Sequence, residues 1–399
     1  MDAITRRRFL VASGVTGGAA IAAGSGMIAW TQLHQRAQAD PLPTGTGILV
    51  IVTLYGGNDG LNTVIPYADH AYHDARPDLA YDEHEVLHLD DQLGLNPAMT
   101  GLYKVWQNKQ LAIVRGVDYP DPDFSHFRSM DIWQTASPAE PVSTGWIGRW
   151  LDATGDDPLR AVNIGPVLPP LAVGTKCTAA ALNVGPAKPM PADLARALSG
   201  LGQSDAGDQP GEAQVCASYR AERQVDATFG KVLAAGSGDG ASLKDQLDVV
   251  ARCVKAGVPT RVYAVDLGGF DTHADEKGTQ QALLGEFDGA VSGFLTQMAG
   301  DPHGRDVVLV AYSEFGRRVG ANASQGTDHG SAGPVFVAGV PVHGGYYGEE
   351  PSLTDLDEGN LKSTVDFRAV YGELLHRVLG ADPGRVLGRP PAELGFLSA

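Results

Sequence analysis

Six stretches carry unbroken or nearly unbroken β-rich apolar runs: Ile48–Leu54, Leu111–Val117, Ala161–Ile164, Arg261–Leu267, Asp306–Tyr312 and Pro334–Val340. A strand with one wet face alternates apolar and polar residues, so continuous apolar runs predict strands buried on both faces. Helical patterns fall between them. Pro97–Asn108 follows Asn96 and has a proline at its first position, and Ser242–Ala256 places Ser242 three residues ahead of Asp245, a variant of the capping box. Gln280–Met298 and Asp366–Leu379 are further amphipathic stretches. Strands alternating with helices predict an α/β fold in three layers, a mostly parallel sheet with helices on both faces. Ser137–Ser143 is rich in proline, and Ser199–Glu212 is nearly devoid of apolar residues. Together they bracket a region, about residues 137–240, that reads as a cap or insertion beside the sheet.

The N-terminus breaks this pattern. Thr5-Arg6-Arg7-Arg8-Phe9-Leu10 precedes an apolar stretch, Phe9–Trp30, diluted by five glycines, and Ala37-Gln38-Ala39 follows as a small-x-small site. This reads as a twin-arginine (Tat-type) export signal, which would divide the chain into a signal, 1–39, and one domain, 40–399. The stretch is long enough to cross a bilayer if it is not removed. A membrane contact is therefore expected only through an uncleaved signal. The chain has 30 basic and 47 acidic side chains, a formal charge of −17. Removing 1–39 takes away Arg6, Arg7, Arg8, Arg36 and Asp2, which leaves 26 against 46 and a charge of −20. Such a surface offers no electrostatic footprint to a nucleic acid and leaves room for carboxylates that bind cations. Three cysteines, Cys177, Cys216 and Cys253, exclude a disulfide framework, and none has a Cys-x-x-Cys neighbour that would suggest a thiolate zinc site.

In a parallel α/β sheet, ligands bind beyond the carboxyl ends of the strands. Residues with useful chemistry fall there four times. Gly56-Gly57-Asn58-Asp59-Gly60 follows the first strand; it is either a tight turn or a close-approach loop in which Asp59 ligates. It lacks the Lys-Ser/Thr of a Walker loop and the spacing of a dinucleotide loop. Beyond the second strand, Ser125 stands before a helix expected over Phe127–Trp133. That is the position of a cap, or of a nucleophile at the positive end of a helix dipole. His126 and Arg128 follow it, as a metal ligand and an anion holder or as surface partners of nearby acids. Asp271-Thr272-His273 and Asp328-His329-Gly330 lie beyond later strands, with Arg317 between them in sequence. Carboxylate with imidazole suits zinc or manganese, and carboxylates alone would accept calcium or magnesium. Two such pairs point to two divalent ions at a hydrolytic site. Read singly, each histidine is a hydrogen-bonded loop residue. No Gly-x-Ser-x-Gly elbow exists; His329-Gly330-Ser331-Ala332-Gly333 misses its first glycine, which weakens a serine esterase reading.

Longer strings carry a resemblance. Gly56–Asn62, Ser125–Thr135, Leu267–His273, Ser313–Arg318 and Thr327–Gly330, with Gly344-Gly345, Tyr347-Gly348 and Asp366–Arg368, resemble the domain-of-unknown-function 1501 family of Tat-exported bacterial proteins. That family looks like a branch of the alkaline phosphatase and sulfatase superfamily. The resemblance implies a bimetal centre at the carboxyl edge of the sheet, with Asp59, Asp328 and His329 as ligands. Asp271 and His273 would serve the other metal, and Ser125 would be the nucleophile. The chain departs from the superfamily in the short spacing of Asp271 and His273, and in having no clear match for the last metal histidine, for which His343 and His126 are both conceivable. The expected activity is hydrolysis of phosphate or sulfate esters. Ser125 would attack, and Arg128 or Arg317 would hold the non-bridging oxygens. The substrate would be a small anionic ester or a sulfated or phosphorylated polymer. The competing expectation is a non-catalytic exported binding or assembly protein on the same fold. Neither reading specifies an oligomeric state.

The paired guanidinium groups are what the Tat receptor reads. Arg6→Lys combined with Arg7→Lys is therefore expected to strand the precursor in the cytoplasm, and fractionation checks it; normal export of the double variant would remove the Tat assignment.

Overall fold

A computed structural model describes residues 30–155, 157–165, 168–182, 242–388 and 392–398. The basic and apolar parts of the expected signal, the Ser199–Glu212 segment and Cys216 lie outside these residues. The main elements in chain order are α1 (Trp30–Ala39), β1 (Ile48–Leu54), α2 (Thr100–Gln107), β2 (Leu111–Asp118), α3 (His126–Thr135), α4 (Trp146–Thr154), β3 (Ala161–Ile164) and β4 (Ala180–Leu182). They continue with α5 (Leu243–Lys255), β5 (Val262–Leu267), α6 (Glu276–Ala299), β6 (Val307–Ser313), β7 (Gly316–Arg317), β8 (His329–Gly330), β9 (Gly333–Ala338), β10 (Gly345–Tyr347), β11 (Val365–Asp366) and α7 (Phe367–Glu373). Among the described residues, no helix is long and apolar enough to cross a membrane.

Two compact units divide the chain. The first contains Met1–Leu42 and Val142–Tyr263. Within it β3 and β4 pair in parallel, with Ile164 opposite Leu182. Ser242 caps α5 through the amide of Asp245, the capping expected from the sequence. Cys177 and Cys253 are both buried.

The second unit, Pro43–Pro141 and Ala264–Ala399, holds the candidate chemistry. Its strand order runs β10-β2-β9-β6-β1-β5, with β11 also on β2. β1 and β6 run in parallel from Ile48 opposite Val307 to Leu54 opposite Ser313. Every residue of β1 is buried, so the strand is covered on both faces as its unbroken apolar run requires. The class is the expected α/β one, a mostly parallel mixed sheet. The exception is β9, antiparallel to both β2 and β6. Between β6 and β9 the chain makes no crossover helix, only a loop and the β7–β8 ribbon, so it returns beside β6 in the opposite sense. That return holds the β6–β9 loop at the carboxyl end of β6.

One helix starts later than expected. Asn96 accepts from the amide of Ala98 at 3.0 Å and donates to the carbonyl of Asn62 at 2.8 Å, which makes a turn, and α2 begins at Thr100. The first amides of α2 are instead taken by Asp288 of α6, from Gly101 at 2.8 Å and Leu102 at 2.6 Å. α3 is anchored through Trp133, which stacks on Tyr312 of β6 at 4.6 Å, while its backbone carbonyl accepts from Tyr371 at 3.0 Å.

Beneath the β1 loop lies a buried charge cluster. Arg76 pairs with Asp59, and both side chains are fully buried. Glu276, also buried, accepts from the Thr327 hydroxyl at 2.6 Å. Desolvation and the neighbouring Asp59 charge push the Glu276 carboxyl well above its usual range. Asp59 stays below its usual value: burial opposes this, but the Arg76 guanidinium outweighs it. Asp59 Oδ1 and Glu276 Oε1 have no other partner, which suits a proton on Glu276 donated to Asp59.

The folded chain thus holds a proton that the unfolded chain releases above the ordinary value of 4.5. Between that value and alkaline pH the folded state binds more protons, so this group's contribution to stability falls as pH rises. Glu276→Gln keeps an acceptor for Thr327 and a donor for Asp59 but cannot titrate. Its Tm relative to wild type is expected to rise steadily between about pH 5 and about pH 9; parallel Tm profiles in thermal melts would show that Glu276 does not carry the proton.

Candidate metal centre

Three loops at the carboxyl ends of β1, β5 and β6 meet around one side chain. Arg317 is buried, and Nε donates to Gly57 O at 2.7 Å. Nη1 donates to Thr327 O at 2.9 Å. Nη2 serves Gly56 O, Phe270 O at 2.8 Å and Asp271 Oδ1 at 2.9 Å. The approach is close enough to require glycine. Gly56 (φ 120°) and Gly57 (φ 76°) have left-handed backbones, and a Cβ on Gly56 would lie 2.5 Å from the Asp271 amide. A Cβ on Gly330 would lie 2.3 Å from the Arg317 backbone.

This packing gathers three imidazoles on one carboxylate. Asp271 Oδ1 lies 3.0 Å from His329 Nε2 and 3.0 Å from His273 Nε2. Asp271 Oδ2 lies 3.6 Å from His126 Nε2. Ligand atoms of His126, Asp271 and His329 all fall within 4.8 Å of one another. Each ring has an acceptor behind it. His126 Nδ1 faces Glu314 Oε1 at 2.8 Å, His329 Nδ1 faces Phe124 O at 2.8 Å, and His273 Nδ1 is 3.6 Å from Asp328 Oδ1. With a cation bound, the acceptors behind His126 and His329 would keep their ring protons on Nδ1 and turn the Nε2 lone pairs inward. Without one, His329 Nε2 donates to Asp271 Oδ1, and His273 Nε2 and His329 Nε2 lie 3.0 Å apart. Although burial works against it, hydrogen bonds from His329 and Arg317 hold the Asp271 carboxyl down at about 2. A permanently ionised carboxylate with inward imidazole lone pairs is a donor set that fits zinc. The cluster is open, since Asp271 is 48 % exposed, as a ligand-accepting site must be.

The structure brings together His126, Asp271, His273 and His329, with Asp328 behind His273. Asp328 also accepts from Asn322 at 3.3 Å. Ser125 stands between two residues that touch the cluster, Phe124 through its carbonyl and His126 through its ring. As the N-cap residue of α3 it makes no side-chain capping bond, and it is exposed, so capping does not occupy its hydroxyl. The other expected residues are placed differently. Asp59 belongs to the buried Arg76 pair and not to this cluster. Arg317 is not an anion holder, because it is buried and its N–H groups are spent on protein oxygens. Arg128 donates to Asp131 at 2.6 Å and to Pro138 O at 3.2 Å, which ties it along its own helix. His343 is remote in its bonding, to Ser398 at 2.6 Å. The residue that pattern reading left without a role is Glu314. It is buried, takes the amide of Gly56 at 2.9 Å and the Ser313 hydroxyl at 3.0 Å, and backs His126. Its place directly after a buried strand, beside the residues already singled out, was the available signal. A groove of about 540 Å³ is lined by α2, α6 and the amino end of β6, and none of these residues lines it.

Residues 224–392 match the model of the family described as protein of unknown function, DUF1501. The matched DUF1501 segment includes Asp271, His273, Glu314, Arg317, Asp328 and His329, and the resemblance read from the strings stands on it. No curated protein matches the chain. Among solved structures, the chain is similar to a protein of the alkaline phosphatase superfamily from Vibrio parahaemolyticus. The identity is 10 %, over 93 % of this chain and 80 % of that one, with a TM-score of 0.43. It is also similar to the lipoteichoic acid synthase LtaP from Listeria monocytogenes, at 11 % identity over 92 % and 84 %, TM-score 0.39. A third likeness is to murine ectonucleotide pyrophosphatase/phosphodiesterase 5, at 9 % identity over 88 % and 100 %, TM-score 0.41. Likenesses this distant carry no residue roles or substrates to this chain.

Outer partners of ligating histidines typically govern metal affinity by about 10- to 100-fold. His329→Ala is expected to abolish stoichiometric zinc binding, and Glu314→Gln and Asp328→Ala to weaken it within about that range. Elemental analysis with zinc titration checks this; unchanged stoichiometry in His329→Ala would make the cluster a structural hydrogen-bond network.

Proposed function

We propose that the chain is an exported, metal-dependent hydrolase of phosphate or sulfate esters. The observation that supports it most is the convergence of three imidazole Nε2 atoms on the ionised Asp271, each ring backed by an acceptor, one residue from an uncapped exposed serine. Export is supported by the twin-arginine leader. His126, Asp271 and His329, with His273 adjoining, would hold a divalent ion, zinc or manganese by their chemistry; a second ion would draw on His273 and Asp328. Bound there, a metal supplies Lewis-acid charge to ester oxygens and lowers the pKa of a hydroxyl.

The chain's own residues do the rest. Ser125 lies at the start of a ten-residue helix, where the dipole and free amides favour anionic oxygen. Its Oγ, having released its proton to solvent, would form the bond to phosphorus or sulfur as the ester oxygen departs and takes a proton from solvent to leave as the alcohol; water would then cleave the seryl ester and restore the hydroxyl. Glu314 and Asp328 hold their imidazoles in one orientation through the cycle. Anionic esters, small or on a polymer, are the substrate class this arrangement suits.

A second reading, a non-catalytic binding or assembly protein, is favoured by one observation. Both arginines expected to hold substrate oxygens, Arg128 and Arg317, are committed to protein partners. Metal content together with turnover of aryl phosphate and sulfate esters separates the two readings.

Ser125→Ala is expected to lower ester turnover by about 10³-fold or more while metal stays bound. Ser129, by contrast, is buried and bonded to the Tyr119 hydroxyl at 2.8 Å. Ser129→Ala should therefore cost about 1 kcal/mol of stability and retain most turnover. Near-normal turnover in folded Ser125→Ala would move the nucleophile to a water molecule.

A further inference from the structure

Among the described residues, four large hydrophobic side chains are exposed: Phe124, Phe127, Val142 and Val340. Two of the four bracket Ser125 and His126. Phe127 is 92 % exposed, in a helix that buries Met130, Ile132 and Trp133. A surface phenyl contributes nothing to that packing, and two at one spot mark a binding surface more than chance exposure. Their backbone ties them to the cluster. Phe124 O accepts from His329 Nδ1 at 2.8 Å, and Phe127 directly follows His126. Phe124 lies just before the N-cap of α3 and Phe127 in its first turn, so both stand at the helix entrance.

The surroundings say what the surface can hold. The chain carries a net charge of −17, which disfavours an anionic lipid surface. Arg128, which follows Phe127 in the chain, is paired with Asp131. Ser125 and His126 have an exposed phenyl on either side of them in the chain.

We propose that Phe124 and Phe127 bind the apolar portion, aryl or alkyl, of the alcohol in the ester substrate, which selects amphiphilic esters over small polar ones. This rests on the ester-hydrolase reading above. The test is calorimetric binding of methylphosphonate, phenylphosphonate and octylphosphonate to the zinc-loaded full chain, with no turnover required. Phenyl- or octylphosphonate is expected to bind about tenfold or more tightly than methylphosphonate. The two apolar arms distinguish an aryl from an alkyl preference. Phe127→Ala, and more so Phe124→Ala combined with Phe127→Ala, should erase that advantage, and Phe127→Trp should keep it. Because Phe127 is solvent-exposed, its removal leaves the core intact. Equal affinities for the three phosphonates, or an advantage that survives in the double variant, would overturn the inference and leave the ester reading standing. Failure of all three to bind would sink the ester reading, and this inference with it. Sedimentation with neutral phosphatidylcholine vesicles that Phe127→Ala abolishes, without any preference among phosphonates, would replace the substrate surface by a membrane contact.

Discussion

Arg317 carries its guanidinium into a buried place. Nε donates to the β1 loop at Gly57 O and Nη1 to Thr327 O, while the two Nη2 hydrogens are shared among Gly56 O, Phe270 O and Asp271 Oδ1. A buried guanidinium left unpaired costs several kcal/mol, so these loops are held to one another by the cost of parting them. Everything at the candidate centre hangs from that knot. It sets the carboxyl of Asp271, and Asp271 is the atom group on which the histidines converge.

A second buried guanidinium repeats the device a little further along the same loop. Arg76 donates to Val319 O at 2.8 Å, to Arg318 O at 2.8 Å and to Asp59. The segment after β7 is thereby held from two sides. The proton on Glu276 completes this second cluster, because a charged Glu276 beside Asp59 would exceed what one arginine can compensate. Arg76 and Arg317 are thus used for architecture. An anion received here would draw positive charge from a bound metal and from the amino end of α3.

The placement of α3 shows how core packing reaches the surface. Trp133 stacks on Tyr312 in the sheet, while at the other end the Tyr119 hydroxyl joins Ser129 and the Asp123 backbone. A helix pinned at both ends presents Ser125 and His126 at one fixed point. Rigid support of this kind is what an ordered constellation of ligands requires.

The chain's sequence by itself determined its strands, its class and the segments that carry chemistry. Ile48–Leu54 and Ala161–Ile164 run as read from their apolar composition, because burial on both faces is a local demand on every residue. His126, Asp271, His273, Asp328 and His329 were legible as candidates because they follow buried strands, where an α/β sheet exposes its loops. Tertiary structure alone decided which of the charged residues gather at the candidate centre and which are struts. Asp59 and Arg317 look in sequence like site residues, yet each is buried against a partner that only folding supplies, Arg76 for one and the carbonyls of three loops for the other. The antiparallel sense of β9 and the role of Glu314 were hidden for the same reason. Periodicity records how much water a residue meets, whereas the meaning of a charge depends on which distant loop arrives beside it.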